Sequence, residues 1–180
     1  PLDYAGNGGV VVDNKRNPQV LPADPARLGS SLFPFDRPFD PRYSGPFHPS
    51  LAVPSAAVRD GLSNTLCVGD RWINPTALGR MASMSSPPRP MAMHDLAGLA
   101  GDSYYATVRF GNIDDQSNQA FPIAKTDTSV FKFGSPKGND ACFAFLDGHV
   151  RWLPYDINLI VFQNLSAIND GNVIPANELP

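Results

Sequence analysis

The sharpest pattern of apolar and polar positions lies near the C-terminus, where Ala141-Cys142-Phe143-Ala144-Phe145-Leu146 and His149-Val150-Arg151-Trp152-Leu153 flank Asp147-Gly148. An Asp-Gly pair between two alternating runs predicts a β-hairpin, because both residues tolerate the positive φ that a tight turn demands. A two-residue loop pairs Leu146 with His149, Phe145 with Val150 and Phe143 with Trp152. Period two then collects Phe143, Phe145, Val150 and Trp152 on one apolar face, with Ala144 and Arg151 on the other. This hairpin is expected at the centre of the core.

Downstream the period lengthens. Ile157, Ile160, Val161, Leu165 and Ile168 recur at helical spacing, with Asp156 placed as an N-cap and Gly171 as a stop. The pattern predicts an amphipathic helix of about twelve residues packed on the sheet. A short strand over Asn172-Val173-Ile174 follows it.

Upstream, Val10-Val11-Val12 is strand-like after a glycine-rich opening, and residues 104–110 alternate well enough for another strand. Asp60-Gly61 predicts a turn leading into a strand, on which Leu66 and Val68 share one face and Cys67 takes the other. The architecture expected is α+β: mainly antiparallel β-sheet, long proline-rich loops and a C-terminal amphipathic helix.

Composition explains the gaps between these elements. Nineteen prolines and fifteen glycines in 180 residues argue for many turns and against a helical bundle. Residues 17–57 and 74–101 read as irregular insertions in a single globular domain spanning 1–180. In the first, Phe33, Phe35, Phe39, Tyr43 and Phe47 are expected to pin a long loop to the body; in the second, Met81, Met84, Met91 and Met93 are read as loop packing. The net charge of −3 without a basic stripe makes nucleic acid an unsuitable partner. No run approaches the ~18 apolar residues of a membrane span.

Candidate chemistry is thin. A nucleophile elbow is missing, and His48, His94 and His149 are isolated from one another along the chain. Cys67 and Cys142 form no zinc-type pair; on adjacent strands they leave either a disulfide or two small buried hydrophobes open. The polar loop 112–118 offers hard oxygens of the kind calcium takes, without the glycine and terminal glutamate of an EF-hand loop. A sequon, Asn164-Leu165-Ser166, falls inside the expected helix. Neither a catalytic residue, nor a cofactor site, nor a metal site is assigned.

Three stretches in order resemble a known family. They are Leu2-Asp3-Tyr4-Ala5-Gly6-Asn7-Gly8-Gly9; Arg59-Asp60-Gly61-Leu62-Ser63-Asn64-Thr65-Leu66 with Val68-Gly69-Asp70; and the run from Phe133-Gly134-Ser135 through Phe143 to Trp152. The chain is similar to the prepilin-like proteins of planctomycete bacteria, a family of unknown function also described as a solute-binding protein family ten-like domain. The resemblance implies a pilin-like globular domain, without the N-terminal hydrophobic helix through which such proteins engage the membrane. It further implies an extracytoplasmic, envelope-associated location and other protein subunits as partners. The family's C-terminal signature carries a histidine ten positions before the aspartate of Asp-Gly; this chain has Lys137 there, His149 where serine is common, and Asp70 where glutamate is usual. The motif residues Asp60, Gly61, Ser63, Asn64, Thr65, Lys137, Asp147 and Gly148 are read as structural, with Asp60 and Asp147 capping turns. The function expected is non-enzymatic: a prepilin- or pseudopilin-like surface or envelope subunit. A module binding glycan or peptide is the alternative.

Overall fold

In a computed structural model, the structure describes residues 4–10, 40–48, 51–72, 108–111, 121, 132–135, 138–175 and 177–179. Within these, strands β1 (Tyr4–Asn7), β4 (Leu66–Asp70), β5 (Val108–Arg109), β6 (Asp140–Phe145) and β7 (Val150–Pro154) form one sheet in the order β5-β1-β4-β6-β7. The short strands β2 (Phe47–His48) and β3 (Leu51–Ala52) pair separately, and one helix, α1 (Leu159–Ser166), follows the sheet. The fold is therefore α+β and mainly sheet. Its ladders are antiparallel except at one edge, where β1 and β5 run parallel.

The first described strand forms in the glycine-rich opening, ahead of the valine run. Val10 lies beyond the end of β1, and Val11 and Val12 fall outside the described residues. Small residues suit this place, since β1 is crowded on both sides. A side chain at Gly6 would meet the Phe47 ring, and one at Gly9, whose φ is +97°, would strike the Tyr43 and Ser44 backbone.

The Asp-Gly hairpin is present, but its loop is one residue longer than predicted. The Phe145 N–H donates to the His149 carbonyl at 2.9 Å, and the Gly148 N–H donates to the Phe145 carbonyl at 3.0 Å. Residues 146–148 thus make a three-residue loop with Gly148 at φ +91°, the arrangement in which a turn is closed by a left-handed residue. The slip re-pairs every position: Ala144 faces Val150, Phe143 faces Arg151 and Cys142 faces Trp152. Because side chains alternate, Val150 and Trp152 move off the core face, and each is 59% exposed. Leu153 takes the core position instead and is fully buried.

A second register change lies in β4. Leu66 pairs with Phe145, yet Val68 pairs with Ala144, so Cys67 is an extra residue, a bulge. Leu66 and Val68 consequently take opposite faces, not the shared one that simple alternation predicts. Gly69 joins Leu66 on the core side, where the Phe143 ring fills the space a side chain would need.

The helix begins later than the pattern suggested. Asn158, not Asp156, is the N-cap, its side-chain oxygen accepting from the Ile160 N–H at 2.9 Å. The helical stretch is eight residues long and ends well before Gly171; Val161, Phe162 and Leu165 face the core while Ile160 is exposed. Ile168 is fully buried, but from the extended segment beyond the helix. Residues 172–174 form no strand. Of the segment 104–110, only Val108–Arg109 is strand within the described part.

The core lies between α1 and one face of the sheet. Phe143 meets Phe162 with ring centroids 5.5 Å apart and Phe133 at 5.1 Å, both edge-on; Phe121 stacks on Tyr155 at 4.7 Å. Such pairs add to area burial because the positive ring edge meets the negative ring face. Both cysteines are half-buried free thiols, so the disulfide left open by the sequence is not formed, and burial raises the pKa of each. The long insertions read at 17–57 and 74–101 fall largely outside the described residues, as do the four methionines, His94 and loop 112–118. Among the described residues no helix is long and apolar enough to cross a membrane.

Phe162→Ala is expected to lower unfolding free energy by about 3–5 kcal/mol through the cavity it leaves. Trp152→Ala should stay within about 0.5 kcal/mol, as a surface change. Urea unfolding of both variants checks the hairpin register; the two-residue-loop pairing predicts a large loss at Trp152 as well.

Candidate functional site

The three sequence stretches singled out above meet in one region, where the end of β1, the turn before β4, the hairpin loop and the C-terminal end of α1 come together. Asn7 is the link between them. Its side chain is fully buried, yet all of its ordinary bonds are made: Nδ2 donates to the Leu66 carbonyl at 2.8 Å and the Ser166 carbonyl at 2.9 Å, and Oδ1 accepts from the Gly9 N–H at 2.8 Å. One amide therefore joins β1, the start of β4 and the last turn of α1. In the sequence, an asparagine among glycines read as a turn residue. Nothing in the local pattern separates that role from this one, because both donor partners lie far along the chain.

Asp60 sits before a 3₁₀ turn, Leu62–Asn64. Its carboxylate does not cap that turn. It reaches across the fold, Oδ2 accepting from the Asp170 N–H at 2.8 Å and Oδ1 from the Gly171 N–H at 3.2 Å. The Arg59 N–H adds a bond to the Ile168 carbonyl at 2.8 Å, so this corner holds the segment that follows α1. Asp170, next to it, has its pKa raised, first by burial and also by the charge of Asp60.

The turn is closed from within. Gly61 adopts φ +95°, which a residue with a Cβ rarely takes. Its carbonyl accepts from the Asn64 N–H at 3.0 Å and from the Thr65 hydroxyl at 3.0 Å, while the Asn64 amide donates to the Asp60 carbonyl at 3.1 Å. Thr65 is fully buried, and its own carbonyl accepts from the Leu146 N–H at 3.0 Å, tying this turn to the hairpin loop.

Asp147 faces the same turn from the hairpin side. Its Oδ1 accepts from the His149 N–H at 3.0 Å and contacts His149 Nδ1 at 2.5 Å, while the His149 ring stacks on Phe145 with centroids 4.2 Å apart. The Ser63 hydroxyl first, then the His149 backbone N–H, hold the Asp147 carboxyl down at about 2. Serine, aspartate and histidine thus come together, but the carboxylate stands between the other two. A nucleophilic triad needs the imidazole next to the hydroxyl, so that the ring can take its proton. The remaining motif position, Lys137, lies outside the described residues.

The described residues hold no grouping of histidine, cysteine and carboxylate side chains suited to a metal ion. The arrangement has the chemistry of a clamp: carboxylates and amides accept from or donate to backbone groups at the joints between elements.

Residues 6–159 match the profile of a family described as protein of unknown function (DUF1559). No curated protein and no solved structure matches the chain.

Asn7→Ala strands the Leu66 and Ser166 carbonyls and the Gly9 N–H in the interior, and should lower stability by about 3 kcal/mol or more. Asn7→Asp, which accepts but cannot donate to the two carbonyls, should do no better; equilibrium denaturation measures both. Asp147 is held below its ordinary 3.8, so its contribution is complete above that value and fades as pH falls towards about 2. Asp147→Asn should accordingly narrow the difference in urea midpoint between about pH 5 and about pH 2. Ser63→Ala should raise the Asp147 titration seen by carboxyl NMR.

Proposed function

The chain belongs to the DUF1559 family, and on that premise we propose that it is a non-enzymatic, prepilin- or pseudopilin-like structural subunit of the bacterial surface or envelope, this sequence forming its C-terminal globular part. The observation that carries the reading is where the motif atoms go. Asn7, Asp60, Thr65 and Asp147 direct their side chains to the chain's own backbone at the joints of the fold. Motifs used in this way preserve a shape for others to contact.

The sheet supports the same reading. Its core face is covered by α1, while its other face and its β7 edge present apolar side chains: Tyr4, Val150 and Trp152 are each 59% exposed. Exposed apolar groups gathered on one surface suit contact with other protein subunits. The neighbours are other envelope subunits, including further copies, and the location is extracytoplasmic. Nucleic acid is not among the partners, and membrane contact runs through a hydrophobic N-terminal helix rather than through this domain.

A module for glycan or peptide is the second reading, favoured by the aromatic Tyr4 and Trp152 at the surface. Rings of this kind stack on sugars, so a glycan-array signal lost in Tyr4→Ala and Trp152→Ala would move the assignment to ligand binding.

The test is fractionation of the native host with an antibody to this domain, followed by intact mass and N-terminal sequencing. The proposal expects an envelope-associated form, larger than this sequence, whose N-terminus is a methylated residue opening a hydrophobic helix. Protein dispersed in the cytoplasm would overturn the envelope assignment. A mature N-terminus at Pro1 without such a helix would overturn the prepilin assignment.

A further inference from the structure

The two edges of the main sheet differ. At the β5 edge, Val108 and Arg109 are buried, and Phe110 continues the sheet through a bridge to Lys132. At the other edge β7 has, among the described residues, one neighbour, β6. The bonds from the Phe145 N–H to the His149 carbonyl and from the Tyr155 N–H to the Asn139 carbonyl show which residues turn their backbone inwards: the odd-numbered ones. Val150, Trp152 and Pro154 therefore turn theirs outwards, away from β6. The first two combine this open backbone with exposed apolar side chains on a single face.

An edge with outward N–H and C=O groups is a template for another extended strand. Soluble proteins blunt such edges, and within β7 the residues of that kind are Pro154, at its end, and the exposed Arg151, which leave the Val150 and Trp152 backbone groups available. What docks here must itself be an extended segment with matching open groups. β7 meets that description.

We propose that β7 pairs antiparallel with β7 of a second copy across a two-fold axis centred on Trp152, joining the two sheets edge to edge. In this register the Trp152 residues exchange N–H···O bonds in both directions. Each Val150 N–H meets the Pro154 carbonyl of the other copy, so the N–H that proline lacks falls at the margin. The two Trp152 rings become cross-strand neighbours, each flanked by the other copy's apolar edge residues.

Charge selects the register. An axis centred on Arg151 would set two guanidinium groups directly opposite, which is destabilising. The Trp152-centred axis places Arg151 opposite Leu153 of the other copy. The inference rests on the assembly reading above and names its contact.

Sedimentation velocity of this chain over a range of concentrations tests it. A reversible monomer–dimer equilibrium is expected, and it should be lost in Trp152→Lys and in Val150→Pro. Val150→Pro removes an outward N–H and leaves the β6–β7 ladder intact; an unchanged far-UV circular dichroism spectrum and urea midpoint confirm folding of each variant. The register is read by Trp152→Cys in a Cys67→Ala, Cys142→Ala background, which is required because Cys142 lies opposite position 152 within the hairpin. An antiparallel bonded pair has Cα atoms about 5.5 Å apart, within disulfide reach, so mild oxidation should yield a covalent dimer. Arg151→Cys in the same background should cross-link poorly. A chain that stays monomeric, a dimer that persists in both folded edge variants, or cross-linking through position 151 instead would each overturn the proposal. Fractionation of the native protein remains a separate readout, so an envelope-bound protein that is monomeric in solution refutes this contact alone.

Discussion

The fold depends on one buried amide. Asn7 carries two donors and an acceptor into a fully buried place, and each meets a backbone group from a different part of the chain. The asymmetry of hydrogen-bond energetics makes this a constraint rather than a modest bonus. A satisfied bond contributes about 0.5–1.5 kcal/mol net, while a buried group left unpaired costs about 1–3 kcal/mol. The carbonyls of Leu66 and Ser166 are committed to that amide, so β4 and the end of α1 cannot shift independently of β1. The close contacts nearby follow from the same restriction. Gly111 packs where a side chain would collide with the Ser166 hydroxyl, and Gly45 lies against the Asn7 and Gly9 backbone. Two approaches this tight need backbones without Cβ atoms as well as an amide to fix their spacing.

This arrangement joins elements that lie far apart along the chain. One eight-residue helix covers one face of the sheet, and the aromatic cluster from Phe121 to Phe162 supplies much of the apolar contact between them. The long chain between these elements adds the entropy of closing loops. Polar clamps at the joints offset that by specifying which segments meet. Asp60 does so across 110 residues, holding the Asp170 and Gly171 amides from the turn before β4.

Local chemistry made part of this legible in the sequence. The Asp147-Gly148 hairpin, the Asp60-Gly61 turn with its following strand, and an amphipathic helix after the hairpin all rest on residues within a few positions of one another. The registers were not legible. Asp-Gly serves a two-residue loop and also a three-residue loop with glycine in the left-handed place, and one residue decides whether Trp152 or Leu153 enters the core. At Cys67 alternation gives no warning of the bulge, since Leu66 and Val68 are equally apolar. The roles of Asn7 and Asp60 were hidden for a different reason. Both residues are common in turns for backbone reasons of their own, and their actual partners are set by topology, which short-range patterns do not encode.

The hairpin slip has a consequence beyond bookkeeping of faces. Had the loop held two residues, Val150 and Trp152 would have entered the core, and β7 would have shown His149, Arg151 and Leu153 on its open face. With three, the core receives Leu153, and β7 carries its largest ring at the surface beside backbone groups turned away from β6. The same Gly148 conformation that closes the loop therefore decides what the outer edge of the molecule offers to a neighbour. Asp147 fixes that loop through His149, and Thr65 fixes it through the Leu146 amide. The polar clamp and the apolar edge are thus mechanically one unit: residues that contact no partner set the register of the strand that can.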